Sequence, residues 1–207
     1  EWLDAASRKA IIERAERTLG QTLFVKPACA GSSVGADKAT NRAELEKRVE
    51  EAFAWDDKIL IEPFVPAREI ECSVTGNEKP VAYTPGEIVP THEFYDYDAK
   101  YVDPDGAALR IPAELDEATA KRVRAIAVDA YRALDLTGFS RVDFFIDKRT
   151  GELRLNEINT IPGFTSISMF PKMCEASGLR YEALVTRLIE LAIERYESRR
   201  RLRTSRD

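Results

Sequence analysis

The stretch Leu155-Asn156-Glu157-Ile158-Asn159-Thr160-Ile161-Pro162-Gly163-Phe164-Thr165 decides how this chain is read. It sets a carboxylate and an amide two residues apart, at the end of a predicted strand and just before a Pro-Gly turn. Alternate residues of a β-strand face the same way, so Glu157 and Asn159 aim oxygen atoms at one point. Upstream, Phe139-Ser140-Arg141-Val142-Asp143-Phe144-Phe145 repeats the arrangement. Arg141 and Asp143 share one face there, while Val142, Phe144 and Ile146 suit a core. Hard oxygen donors, with no histidine or thiol among them, fit a magnesium ion held against phosphates. A fixed cation beside them on a neighbouring strand reads as apparatus for phosphoryl transfer.

The bulk composition narrows the remaining choices. With 207 residues the chain can bury one good-sized core or two small ones. A net charge of −5 argues against a general nucleic-acid binder, and no apolar run is long enough to cross a bilayer. Arg199, Arg200, Arg201, Arg203 and Arg206 make a basic tail that reads as a frayed helix end. Three scattered cysteines, Cys29, Cys72 and Cys174, point to a reducing cytoplasm rather than a disulfide framework. His92 is the only histidine. That removes Ser-His-Asp and Cys-His schemes and the usual zinc sites. Glu1 is not an initiator methionine, and residues 3–19 read as a helix already under way. The chain is therefore expected to be the C-terminal part of a longer polypeptide.

Hydrophobic periodicity orders the elements. A helix over residues 4–18 ends at Gly20, and a short strand runs from Thr22 to Val25. Arg42 to Ala54 is an amphipathic helix, and Lys58 to Glu62 a strand. Arg68 to Thr75 and Pro80 to Thr84 form an antiparallel pair joined at Gly76-Asn77. Residues 92–108 are polar, aromatic and turn-rich, long enough for a lid. Asp116 caps a long helix through Leu134. The two site strands cover 139–147 and 152–158, and Tyr181 to Tyr196 closes the chain as a helix. The order predicts an α+β fold with an antiparallel-rich sheet.

Several further groups suit a phosphate-bearing ligand. Lys26 opens the loop Lys26-Pro27-Ala28-Cys29-Ala30-Gly31-Ser32-Ser33-Val34-Gly35, whose glycines let backbone N–H groups converge on an anion. No Gly-Lys-Ser/Thr follows, so this is not a Walker A loop. Glu62-Pro63-Phe64-Val65 suits a hinge that reads a base through backbone groups, and Glu69 can accept ribose hydroxyls. Lys100 and Tyr101, in Phe94-Tyr95-Asp96-Tyr97-Asp98-Ala99-Lys100-Tyr101, suit phosphate neutralisation and substrate orientation from a closing loop. Gly163-Phe164-Thr165-Ser166-Ile167-Ser168-Met169 supplies small groups and N–H donors for a substrate carboxylate.

Taken in this order, KPACAGSSVG, EIECSVTGN, EFYDYDAKY, RVDFF and LNEINTIPGFTSISMFPK resemble the D-alanine–D-alanine ligases of the ATP-grasp superfamily. The resemblance implies the remainder of a central subdomain over residues 1–62 and a C-terminal antiparallel-sheet subdomain over 63–207. It implies Lys26 on ATP phosphates, Glu62, Phe64 and Val65 around adenine, Glu69 on ribose, and Lys100 on the terminal phosphate. Asp143, Glu157 and Asn159 would hold two magnesium ions, with manganese as a substitute. Arg141 would stabilise the oxyanion of a tetrahedral intermediate, and Ser32 would orient Tyr101 in the D-alanine pocket. Gly163, Ser168 and Met169 would seat the second D-alanine.

The implied reaction is ATP-dependent synthesis of D-alanyl-D-alanine through an acyl phosphate, for peptidoglycan, in the cytoplasm. It implies a homodimeric full-length parent, with no nucleic-acid or membrane partner, and an inactive isolated fragment. The first D-alanine site and a second ATP-contacting lysine are expected in the part absent here. Position 29 is Cys where relatives often carry a basic residue, which removes one loop contact. Two alternatives stay open: a D-alanine–D-serine or other ATP-grasp ligase, and a nucleotide-binding fragment without catalysis.

Overall fold

The computed structural model describes residues 4–31, 33–90, 107–165 and 167–203. Two compact units emerge, one within Glu1–Val65 and the other within Pro66–Val89 and Ala108–Asp207. Among the described residues, no helix is long and apolar enough to cross a membrane.

In the first unit, strands β1 (Leu23–Pro27), β2 (Asp37–Ala39) and β3 (Ile59–Pro63) form an antiparallel sheet in the order β2-β1-β3. Strict alternation along β1 turns Leu23, Val25 and Pro27 inward. Leu23 and Val25 meet Ile12 and Ala15 of helix α1 (Ala5–Leu19) and Leu45, Val49 and Ala52 of α2 (Arg42–Phe53). Burying side chains of this size contributes about 1.5–3 kcal/mol each. Both helices start on a side-chain cap. Asp4 accepts from Ser7 N, and Asn41 accepts from Glu44 N while the Glu44 carboxylate accepts from Thr40 N. The even-numbered residues of β1, Phe24 and Lys26, lie on the other side of the sheet.

In the second unit, β4 (Ala67–Gly76), β6 (Gly86–Pro90), β7 (Ala107–Arg110), β8 (Gly138–Asp147) and β9 (Leu153–Asn159) pair in the order β7-β6-β4-β8-β9. A short β5 (Val81–Ala82) pairs with the end of β4. Helix α3 (Glu117–Ala133), capped by Asp116 through Thr119 N, covers one face. Its Val123, Ala127 and Tyr131 pack on Ile70, Cys72, Val74, Val142, Phe144 and Ile146. Tyr131 also donates its hydroxyl to Gly76 O at 2.7 Å, which ties the end of β4 to the helix. Helices α4 (Met169–Ala176) and α5 (Tyr181–Arg199) pack together elsewhere, where Phe170, Cys174 and Leu184 gather Phe139, Phe164 and Tyr83. Ser73, on the opposite side of β4 from Cys72, donates to Phe170 O at 3.0 Å.

Five elements depart from the expectation. Strands β2 and β6 and helix α4 lie where no element was predicted. The expected strand over 80–84 shrinks to Val81–Ala82, and β7 takes up the last residues of the expected lid. Gly86 explains how β6 fits. A Cβ there would displace the end of the Met169 side chain and crowd Ile111 and Met173, so Gly86 leaves room for these side chains against the sheet.

Candidate functional site

The register of β4, β8 and β9 builds the site in the second unit. Glu71 lies opposite Asp143, and Asp143 opposite Glu157. One step along, Ser73 lies opposite Arg141, and Arg141 opposite Asn159. Directly opposed residues of an antiparallel pair project from the same face, with Cβ atoms about 4.5–5.5 Å apart. Glu71, Asp143, Glu157, Arg141 and Asn159 therefore share one face, away from α3. Glu69, opposite Phe145, projects from that face too.

A break in the pairing is needed for this. Between Asp143 and Phe144 the register shifts, so Glu157 faces Asp143 while Leu155 faces Phe144. Asn156 is the extra residue of a β-bulge. It allows Leu153 to enter the α3 core while Glu157 and Asn159 face the other way.

Arg141 is the centre of the charge arrangement. Its Nε and Nη2 donate to the two carboxylate oxygens of Asp143, each at 2.7 Å. Its Nε also lies 3.1 Å from Glu71 Oε2. The three side chains are 20%, 13% and 6% exposed, in the order Arg141, Asp143, Glu71, so little water screens them. Burial acts to lower the Arg141 pKa, but the Asp143 hydrogen bonds and the charges of Asp143, Glu71 and Glu157 outweigh it and raise it. The guanidinium is thus a permanent positive charge in a carboxylate-rich site.

Asp143, Glu157 and Asn159 fit a hard divalent ion by their chemistry, since all three offer oxygen. Among the described residues, no three His, Cys, Asp or Glu side chains are gathered into a metal-binding group. The donor set here is two carboxylates and an amide, and Asp143 is closed on Arg141. Asn159 Oδ1 accepts from Ile161 N at 3.1 Å, which starts the turn into Pro162-Gly163.

The turn leads to the loop before α4. Thr165 N donates to Ser168 Oγ at 3.0 Å, and Ser168 N donates to Thr165 O at 3.0 Å. A Cβ on Gly163 would lie 2.8 Å from Ser168 Oγ, so glycine permits the loop to close on that serine. Met169 is 5% exposed and reaches over Gly86, so its side chain belongs to the packing under α4.

In the first unit, Lys26 and Glu62 make an ion pair at 3.0 Å. The Lys38 amine sits 4.4 Å from the centre of the Phe64 ring, and Phe64 N donates to Thr22 O at 3.0 Å. The loop after β1 is anchored by Asp56, which accepts from Cys29 N and Lys58 N. These two backbone bonds, Lys58 first, hold the Asp56 carboxyl below its ordinary pKa. Ser33 takes a left-handed φ of 59° in that loop. Ser32, Lys100 and Tyr101 lie outside the described residues.

Residues 3–190 match the family model described as D-ala D-ala ligase C-terminus. The chain belongs to this family. It is 62% identical over its whole length to the D-alanine–D-alanine ligase of Treponema denticola, covering 56% of that protein. It is 53% identical to the corresponding ligase of Shouchella clausii, over 97% of this chain and 54% of that one. Among solved structures it resembles the D-alanine–D-alanine ligase of Coxiella burnetii, at 38% identity and a TM-score of 0.80, over 96% of this chain and 52% of that chain. The VanG D-Ala:D-Ser ligase of Enterococcus faecalis aligns with the same TM-score, at 36% identity, over 91% of this chain and 55% of that chain. The chain thus spans about half the length of the relatives it matches.

The D-alanine–D-alanine ligase resemblance seen in the sequence is therefore correct, and the α+β, ATP-grasp fold expected from it is the fold observed. Sequence reasoning passed over Glu71. The signal was present in Glu69-Ile70-Glu71, where strand alternation puts two carboxylates on one face. What was missing was the pairing of β4 with β8, which brings Glu71 onto Arg141.

Proposed function

We propose that this chain carries most of the nucleotide and metal site of an ATP-dependent ligase that joins two D-alanines into D-alanyl-D-alanine for peptidoglycan. The single observation behind the reading is the cross-strand set in which Asp143 faces Glu157 and Arg141 faces Asn159. Residues 1–62 would be the rest of a central subdomain and 63–207 the C-terminal subdomain. The full-length protein would be a cytoplasmic homodimer with no nucleic-acid or membrane partner.

A carboxylate is a poor electrophile. Transfer of the terminal phosphoryl of ATP converts the first D-alanine to an acyl phosphate. The amine of the second D-alanine attacks that carbonyl, and inorganic phosphate leaves. Lys26 and Lys100 would neutralise phosphate oxygens during transfer, Glu62, Phe64 and Val65 would seat the base, and Glu69 the ribose. Asp143, Glu157 and Asn159 would hold two magnesium ions, or manganese in their place, which supply positive charge against the phosphates. Arg141 places fixed positive charge where the tetrahedral oxyanion develops, worth roughly 3–4 kcal/mol for one good donor. Ser32 and Tyr101 would orient the reacting groups, and Gly163, Ser168 and Met169 would seat the second amino acid. No protein nucleophile is required, in keeping with a chain whose single histidine is His92.

The test uses the full-length protein. ADP release should depend on both D-alanine and magnesium, and Arg141→Ala should lower kcat about 10²–10³-fold while ATP still binds. Unchanged turnover in that variant would refute the role given to Arg141. The 207-residue chain alone should bind nucleotide without turnover. Likeness to the VanG ligase favours one second reading, in which D-serine replaces the second D-alanine. The mass of the product formed from mixed amino acids separates the two.

A further inference from the structure

The reading above leaves Glu71 without a task. It is among the least exposed carboxylates described, at 5%. On one side its strand partner is Asp143. On the other it is Gly86, whose position is covered by Met169. A carboxylate so far from water needs a cation close by, and Arg141 Nε stands 3.1 Å from Glu71 Oε2.

The same guanidinium occupies both oxygens of Asp143. A divalent ion and Arg141 therefore compete for one carboxylate. When Asp143 turns to the ion, Arg141 loses its two short hydrogen bonds. Without another anchor it would swing off the sheet, away from where an oxyanion forms. We propose that Glu71 is a positioning residue for Arg141, holding the guanidinium on the sheet when Asp143 turns to a divalent cation. Glu71 reaches Nε, the nitrogen nearest the chain, and so leaves the outer nitrogens directed away from the strands. The inference rests on the ligase reading, because it takes Asp143 as a metal ligand and Arg141 as the oxyanion donor.

The experiment is a double-mutant cycle in the full-length protein, using Glu71→Gln, Arg141→Met and the pair. Two quantities are read: kcat with the KM for D-alanine, and manganese affinity in the presence of ADP by electron paramagnetic resonance. Glu71→Gln should lower kcat about 10²-fold with little change in KM, the cost of misplacing one oxyanion donor. It should also weaken manganese binding roughly tenfold, because Arg141 then stays on Asp143. In the Arg141→Met background both effects should vanish, since no guanidinium remains to place or to compete.

If Glu71→Gln costs the same manganese affinity in both backgrounds, Glu71 acts only as a distant charge and the proposal fails. If it lowers the melting temperature but leaves kcat per folded molecule unchanged, the residue is structural and the proposal fails. Glu71→Asp keeps the charge and should recover part of the lost turnover, and recovery no better than with Gln also overturns the proposal. Should the Gln variant not fold, the Asp variant enters the same cycle, and additivity with Arg141→Met is the refuting result. Loss of D-alanine-dependent turnover or of manganese binding in the unmodified protein would instead refute the underlying reading, and this inference with it.

Discussion

The two faces of the β4–β8–β9 sheet come from the same strands and could hardly differ more. Toward α3, Ile70, Cys72, Val74, Val142, Phe144 and Ile146 form a core, and an arginine at its edge is balanced. That arginine, Arg68, donates to both oxygens of Glu87 and to Glu114 O. On the opposite face the Arg141 guanidinium feels three carboxylates, Glu71, Asp143 and Glu157. The first face is neutral and closed, so its charges serve the fold. The second carries an excess of negative charge, with Glu71 and Asp143 at low exposure and Glu157 exposed, a cost in stability that makes sense where positive charge arrives with a ligand.

If that division is right, substitutions on the two faces should separate stability from function. The largest stability effect belongs to Phe144→Ala. Phe144 is 1% exposed on the α3 face, and the cavity should cost about 3–5 kcal/mol, read by chemical denaturation. Next comes Glu87→Ala, which strands Arg68 in a largely buried setting. A loss of about 2–3 kcal/mol is expected, at or below the low end for broken buried pairs because Arg68 is 31% exposed.

The same pair predicts the acid response. Its hydrogen bond to Arg68 holds the Glu87 pKa below the ordinary 4.5. That contribution is fully present above 4.5 and is lost as pH falls through the lower folded value. Glu87→Gln should therefore lose less stability than the unmodified protein between about pH 5 and about pH 3. An equal acid slope would show the pair to be idle.

On the open face, Glu157→Gln removes one of the competing carboxylates. Melting should shift by no more than about 0.5 kcal/mol in either direction, while manganese binding with ADP should be lost. A destabilisation as large as that of Phe144→Ala would erase the distinction between the faces. The smallest effect should come from thiol labelling. Cys72 lies on the α3 face and Cys174 under α4, and burial pushes both thiols up to about 12. Cys29 is exposed. A colorimetric thiol reagent should titrate one group in the native chain and three after unfolding. Two fast thiols would mean that one covered face opens readily.

The alternating strands were legible because alternation is a local property. Val142, Phe144 and Ile146 against Arg141 and Asp143 could be sorted before any partner was known. What escaped depends on contacts distant in sequence or on punctuation that misleads. Thr84-Pro85-Gly86 reads as a turn, yet Gly86 opens β6, where Met169, Ile111 and Met173 pack over it. Pro171 reads as a breaker, but it sits in the first turn of α4, where a missing N–H costs nothing. Glu71 was visible as a carboxylate and gained a role only when β4 was found beside β8. Of the site residues, Asp143, Glu157, Asn159 and Arg141 share a face as their spacing required.

The extra residue in β9 has a consequence for how this segment can change over generations. Leu153 and Glu157 lie an even number of positions apart, so straightening the strand with every residue kept would put both on one face. Either the leucine would then leave its apolar nest, or the acid and the amide would point into it. Losing Asn156 outright would make that spacing odd, and plain alternation would hold both orientations, so this segment can shorten by one residue more readily than it can straighten.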